Sequence, residues 1–160
     1  MLVLVLGILI AVADQVTKYM VRISFDLGES RPIIDGFFNF TYLRNTGAAW
    51  GMLDGYNIWL GILSIVVLIG LVFFRRSFVS NVFEHKIALG CLVGGIMGNL
   101  IDRLRLGYVT DFLDFHIESH HWPAFNIADA AICIGVGIYI LSALWLKEHP
   151  LRENGETAAK

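Results

Sequence analysis

Four stretches of nearly uninterrupted apolar residues, Leu2 to Val21, Ile58 to Phe74, Ile87 to Ile101 and Ile127 to Leu146, constrain this chain more than any other feature. A helix rises ~1.5 Å per residue, so about 20 such residues cross a ~30 Å hydrocarbon core with every backbone N–H and C=O bonded within the segment. Only 16% of the 160 residues are charged and 56% are hydrophobic, a balance too apolar for an ordinary soluble domain. The expected fold class is an α-helical integral membrane protein with four transmembrane helices, forming one membrane-embedded domain over residues 1–160. A formal net charge of −2 gives no bulk attraction to nucleic acid.

Each span has its own punctuation. Ala11-Val12-Ala13 resembles a signal-peptide cleavage site, but no basic residue precedes the apolar stretch and apolar character resumes after Asp14, so a retained span is expected. Asp14 and Lys18, four residues apart, share one helix face and suit a structural ion pair or the anchoring of a loop end. In the third span Gly90, Gly94, Gly95 and Gly98 would let helix backbones approach closely. Cys91 and Cys133 both fall in apolar runs and read as buried small residues.

Two longer polar connections, 22–57 and 102–126, join the spans on one side. The first holds the breakers Gly28, Pro32 and Gly36 and then Phe37 to Leu43, whose aromatic and β-branched residues predict a short strand. With the following turn Asn45 to Gly51 it would make a small β-cradle on the membrane surface, with Trp50 at the interface. Arg75, Arg76 and Lys86 crowd one short loop, and Lys147, Arg152 and Lys160 lie in the tail, which puts that loop and both termini in the cytoplasm by the positive-inside rule. Both longer connections then face outward.

Asp102, Asp111, Asp114 and Asp129 concentrate beside the last two spans, where ionisable groups are costly. Asp111 lies in the mostly apolar Val109 to Phe115. Two carboxylates converging in such a setting cannot both ionise easily and share a proton, so that one activates a water while the other protonates or polarises a peptide bond. Asn126 fits an N-cap, which places Asp129 at the third helical residue, where capping alone would also account for it. Asn99 and Arg103 share a helix face and serve either to close a helix end or to hold a polar substrate group. Asn45 fits a turn or a ligand-binding amide equally well, and Asp102 is expected to pair with a basic neighbour. His116 and His120 have helical spacing, but the strong zinc pattern with Glu after the first His is absent, so no metal and no cofactor are expected. A carrier using Asp14, Lys18 and Asp129 as a relay would place its ionisable groups at mid-span, whereas most here gather at one surface.

Five local motifs, in order, resemble those of bacterial lipoprotein signal peptidases, the type II signal peptidases. They are Asp14 to Lys18, Asn45 to Gly51, Gly98 to Arg103, Val109 to Phe112 and Phe125 to Asp129. The resemblance implies a membrane aspartic endopeptidase of the bacterial inner membrane with a periplasmic cradle and active site. It would cut prolipoproteins before a diacylglyceryl-modified cysteine, work beside membrane lipid as a monomer, and bind the cyclic peptide globomycin. By position it implies Asp111 and Asp129 as the catalytic pair. Asn45, Gly47, Asn99, Arg103, Asn126 and Ala128 would line the site, and Asp14 and Lys18 would support it.

Overall fold

The computed structural model describes residues 1–47, 52–75 and 83–148. Trp50, Arg76 and the tail beyond residue 148 lie outside the described residues. Among the described residues, four apolar helices and a small antiparallel sheet make up the fold. Helix α1 spans Leu2–Ser24, α2 Asn57–Phe73, α3 Phe83–Leu106 and α4 Ile127–Glu148. Three of these, α1, α3 and α4, are both long and apolar enough to cross a membrane, and α2 is a 17-residue apolar helix. Seventeen residues stand at the lower limit for a span.

Helix α3 reaches beyond its apolar run at both ends, to Phe83 and Leu106 rather than Ile87 and Ile101. Hydropathy marks where lipid lies, whereas helical hydrogen bonding continues through Glu84, His85 and Lys86 at one end and Asp102, Arg103 and Arg105 at the other. This central helix packs on α1, α2 and α4. Its glycines explain how closely. A Cβ on Gly94 would stand 2.7 Å from the Gly7 carbonyl of α1, and one on Gly95 would collide with the Ala128 carbonyl of α4. Gly98 is hemmed in by a side chain: its Cβ would lie 2.6 Å from Asp14 Oδ2. That carboxylate is itself fixed, so Gly98→Ala is expected to cost about 1–3 kcal/mol. A thermal melt in detergent matching the unmodified protein would show the α1–α3 contact to be looser than described. Cys91 is buried in this packing, but Cys133 is exposed. It falls on the α4 face continuing down from Asp129, not on the face turned to α3.

The sheet runs β1 Ser30–Ile34, β2 Phe38–Asn45, β3 Val109–Ile117 and β4 His120–His121, paired in that order. The strand expected at Phe37 to Leu43 is therefore one of four. Val21, Tyr42 and Phe112 form the core between sheet and α1, with Phe25, Phe40, Leu113 and Ile127 packed around them. Two irregularities aim the sheet at the helices. Gly107, at φ 79°, lets the chain leave α3 and reverse at once into β3. A bulge in β2 between Phe40 and Leu43 shifts its register on β3, bringing Leu43 opposite Asp111 and Asn45 opposite Val109. His116 and His120 lie on strands instead of a helix, and His116 stacks on His121 at 4.8 Å. The i,i+4 helical spacing read from sequence therefore does not exist.

Candidate active site

Strand β3 and the start of α4 are brought together by main chain. Phe125 accepts hydrogen bonds from the N–H groups of Phe112 and Leu113 and returns one to the Leu113 carbonyl, at 2.8–3.1 Å. Asn126 therefore opens α4 directly beside Asp111. The helix start is a reciprocal cap: Asn126 Oδ1 accepts the Asp129 N–H at 2.9 Å, and Asp129 Oδ2 accepts the Asn126 N–H at 3.2 Å. The same Asn126 side chain donates from Nδ2 to Asp111 Oδ1 at 2.7 Å. One amide thus touches both carboxylate residues.

The remaining carboxylate oxygens are met from two other directions. Asn45 Nδ2 donates to Asp111 Oδ2 at 2.9 Å, and Asn45 Oδ1 is turned away by the Gly47 N–H. Asn99 Nδ2 donates to Asp129 Oδ1 at 2.7 Å. The orientation of Asn99 is dictated rather than chosen, because its Oδ1 accepts from Lys18 Nζ at 2.9 Å and from Asn126 Nδ2 at 3.2 Å. Each of the four carboxylate oxygens thus receives one N–H donor and keeps a lone pair for chemistry.

Behind this layer is a fully buried polar knot. Lys18 Nζ meets Asp14 Oδ2 at 2.8 Å and Asp102 Oδ2 at 3.4 Å, and all three side chains are at most 1% exposed. Asp14 Oδ1 accepts the Ala128 N–H at 2.9 Å, satisfying an orphan donor in the first turn of α4. Asp102 accepts from Gln15 Nε2 and from the Thr110 N–H, both at 3.0 Å. Its partners come from the distant helix α1 and from β3, not from a neighbour in sequence. Gln15 and Thr110 carry no warning in a single sequence, since their parts depend on which helix faces which.

Asn45, Gly47, Asn99, Arg103, Asp111 and Asp129 line one cleft of about 790 Å³. Two residues expected to line it do not. Ala128 is fully buried against Gly98 on the far side of the α4 turn, and Asn126 is also fully buried, reaching the carboxylates from behind. Arg103 donates from Nη2 to the Gly47 carbonyl at 3.4 Å, and its buried Nε has no partner among the described residues. Thr46 and Asp54, bonded to each other, stand at the rim, and Trp122 and Phe125 with Ile132 and Cys133 of α4 make an apolar wall. Of these, the sequence pointed to Cys133, which was read as packing, and to Thr46 and Phe125 only as members of motifs.

Asp111 has its carboxyl pushed up to about 7, first because burial penalises its charged form and next because the Asp129 carboxylate repels it. The amides of Asn45 and Asn126 pull the other way. The cleft therefore holds a buried carboxyl poised near neutrality beside a second carboxylate, the arrangement suited to general acid–base work on a water.

Comparisons with known proteins agree with this chemistry. The family model described as Signal peptidase (SPase) II matches residues 6–145. A lipoprotein signal peptidase of Shewanella loihica is 43% identical over 96% of this chain and 90% of its own length. One from Bacillus subtilis is 40% identical over 90% and 94%. A solved structure described as a bacterial membrane enzyme superposes with a TM-score of 0.87 at 34% identity, covering 96% of this chain and 94% of that one. A second, under the same description, gives 0.80 at 37% identity over 89% and 92%. With its pair of aspartates, Asp111 buried and Asp129 partly so, between a membrane helix and a small sheet, the chain belongs to the signal peptidase II family of aspartic-type proteases.

Proposed function

We propose that this membrane peptidase removes signal peptides from bacterial prolipoproteins, cutting before a diacylglyceryl-modified cysteine, with Asp111 and Asp129 as the catalytic pair. The observation that carries the reading is the placement of both carboxylates in one cleft, each oxygen held by a fixed donor. In the proposed starting state Asp111, whose carboxyl is pushed up by burial and by the Asp129 carboxylate, holds the shared proton. Asp129 takes a proton from the attacking water, and Asp111 polarises the scissile carbonyl and then protonates the departing amine. Each carboxylate ends in the other's starting state, and the proton returns through the next water. Asn45, Asn99 and Asn126 keep the two carboxylates facing the same point, which is where their contribution to rate lies. Arg103, which lines the cleft, is suited to hold a substrate carbonyl.

The apolar wall of Trp122, Phe125, Ile132 and Cys133 supports a substrate that keeps its lipid chains in the bilayer. Withdrawing such chains would cost about 0.8 kcal/mol per CH₂, so the enzyme must meet its substrate within the membrane. The same cleft would accept a cyclic peptide such as globomycin. The chain is further proposed to lie in the inner membrane as a monomer, with both termini in the cytoplasm and the cleft toward the periplasm. That orientation rests on the basic residues near Arg75 and Lys86.

The direct test is cleavage of a synthetic diacylglyceryl-modified peptide by purified protein in detergent with chelator present. Cleavage on the amino side of the modified cysteine, undiminished by chelator, is expected. Loss of activity with chelator and its return with zinc would discard the two-carboxylate mechanism.

A further inference from the structure

Arg44 stands at the end of β2, beside Asn45, yet its guanidinium takes no part in the carboxylate cluster. It lies 4.8 Å from the ring centre of Tyr108 and 5.7 Å from that of Tyr42, and its Nε donates to the Tyr42 hydroxyl at 3.1 Å. Among the described residues no carboxylate lies within ion-pair distance of it. Directly opposite Arg44 on β3 is Thr110. Residues so paired share a face of the sheet, and the Thr110 hydroxyl accepts from Arg22 Nη1 at 3.0 Å. Arg22 therefore reaches the strand position paired with that of Arg44. Arg22 approaches a carboxylate only at 3.8 Å, and that carboxylate, Asp102, is already engaged by Lys18, Gln15 and the Thr110 N–H.

Arg44 Nε can only donate, so the Tyr42 oxygen accepts from it. The hydroxyls of the buried Tyr42 and the half-buried Tyr108 lie 3.3 Å apart, and either can donate to the other. Two hydroxyls thus stand beside the Arg44 fork. Such a cluster is complementary to a tetrahedral oxyanion.

Its position says which oxyanion. Arg22 is in the last turn of α1, one turn beyond Tyr19 and adjoining Met20 and Ile23, all three of them more than half exposed on a helix long and apolar enough to span. Apolar surface ending at a basic residue marks the level of the lipid headgroups. We infer that Arg44, Tyr108 and Arg22 form a binding site for the phosphate of an anionic phospholipid, in the leaflet at the C-terminal end of α1. A zwitterionic headgroup fits less well, because its ammonium would lie beside two guanidinium groups. Arg44 also lines the cleft, and Arg44 precedes Asn45 as Thr110 precedes Asp111, so a bound lipid would steady the two strands that present those side chains.

The test uses the full chain in detergent micelles doped with phosphatidylglycerol or phosphatidylcholine, read by melting temperature and by native mass spectrometry of retained lipid. Phosphatidylglycerol is expected to raise the melting temperature in a saturable way, with a matching retained adduct, and phosphatidylcholine to do so far less. Arg44→Gln should weaken the phosphatidylglycerol effect by roughly tenfold in half-saturating lipid. Tyr108→Phe, which removes only the hydroxyl, keeps the ring under the guanidinium and should weaken it less, giving a second measurement should Arg44→Gln fold poorly. Soluble glycerol phosphate in place of the lipid should leave the melting temperature unchanged. Equal responses to the two lipids, an undiminished response in both variants, or a full response to glycerol phosphate would each overturn the site.

Discussion

Asp111→Asn, Asp129→Asn and the double variant are expected to lose turnover to nearly the same depth, on the order of 10³–10⁴-fold. As the proposed pair, the two carboxylates share one proton, so removing either ends the exchange. The comparison that isolates chemistry from folding is Asp114→Asn. Asp114 is also buried, but it faces His121 at 2.8 Å and Thr41 at 3.1 Å, away from the cleft, and should keep substantial turnover. Asp129 needs its melting temperature measured alongside, because it also caps α4. An asparagine there must turn its NH₂ toward either the Asn126 N–H or Asn99 Nδ2, and Lys18 prevents Asn99 from flipping in response. A stability loss of about 1–3 kcal/mol is therefore expected along with the loss of turnover. Were Asp129→Asn to cleave at nearly the original rate, the pair would be misassigned.

Asp111 gives an independent reading through pH. Its carboxyl rises from an ordinary 3.8 to about 7 on folding. Between those values the folded state binds more protons than the unfolded one, so stability falls as pH rises from about 4 to 7 and is level above. At ~1.36 kcal/mol per pH unit the fall is at most on the order of 4 kcal/mol. Asp111→Asn should flatten that part of the stability profile, whatever its offset from the loss of one hydrogen bond. A slope unchanged by the substitution would mean that the proton resides elsewhere.

Lys18→Met is expected to be the most damaging change to folding, at about 3–5 kcal/mol. It would leave the Asp14 and Asp102 carboxylates facing one another with no cation between them, and would release Asn99 Oδ1. Asp14→Ala should behave similarly, since it strands the Lys18 ammonium and uncaps the Ala128 N–H. Folded yield and melting temperature measured with cleavage on the same samples distinguish support from chemistry. Complete loss of turnover at normal stability would move Asp14 into the reacting group.

Much of the architecture was legible because hydrocarbon imposes a one-dimensional signal. Apolar runs located the four described helices, and the Asn126 cap located the start of α4 to the residue. The sheet was half legible. Phe37 to Leu43 is rich enough in aromatic and β-branched residues to show a strand, but β3 is buried over Val109 to Phe112 and again at Asp114, a pattern that periodicity cannot separate from a short helix. Strand β1, with Pro32 and every residue exposed, offers almost no strand signal and exists because β2 pairs with it. The cleft's rim and back were the least legible. Asp102 shows its carboxylate in the sequence, but not that Lys18, Gln15 and Arg22 of α1 will lie against it, because contacts across helices are fixed by rotation about each axis and one sequence does not state that angle.

The bond from Asp14 to the Ala128 N–H joins residues 114 positions apart, and it has a consequence for biosynthesis. A ribosome delivers α1 to the bilayer long before it delivers α4. Until α4 arrives, the Asp14 carboxylate lacks that donor, the cap that positions Asp129 does not exist, and Asp111 has no partner. A nascent chain can therefore sit in the membrane among potential substrates without hydrolytic competence, which it acquires only when its last helix docks on its first.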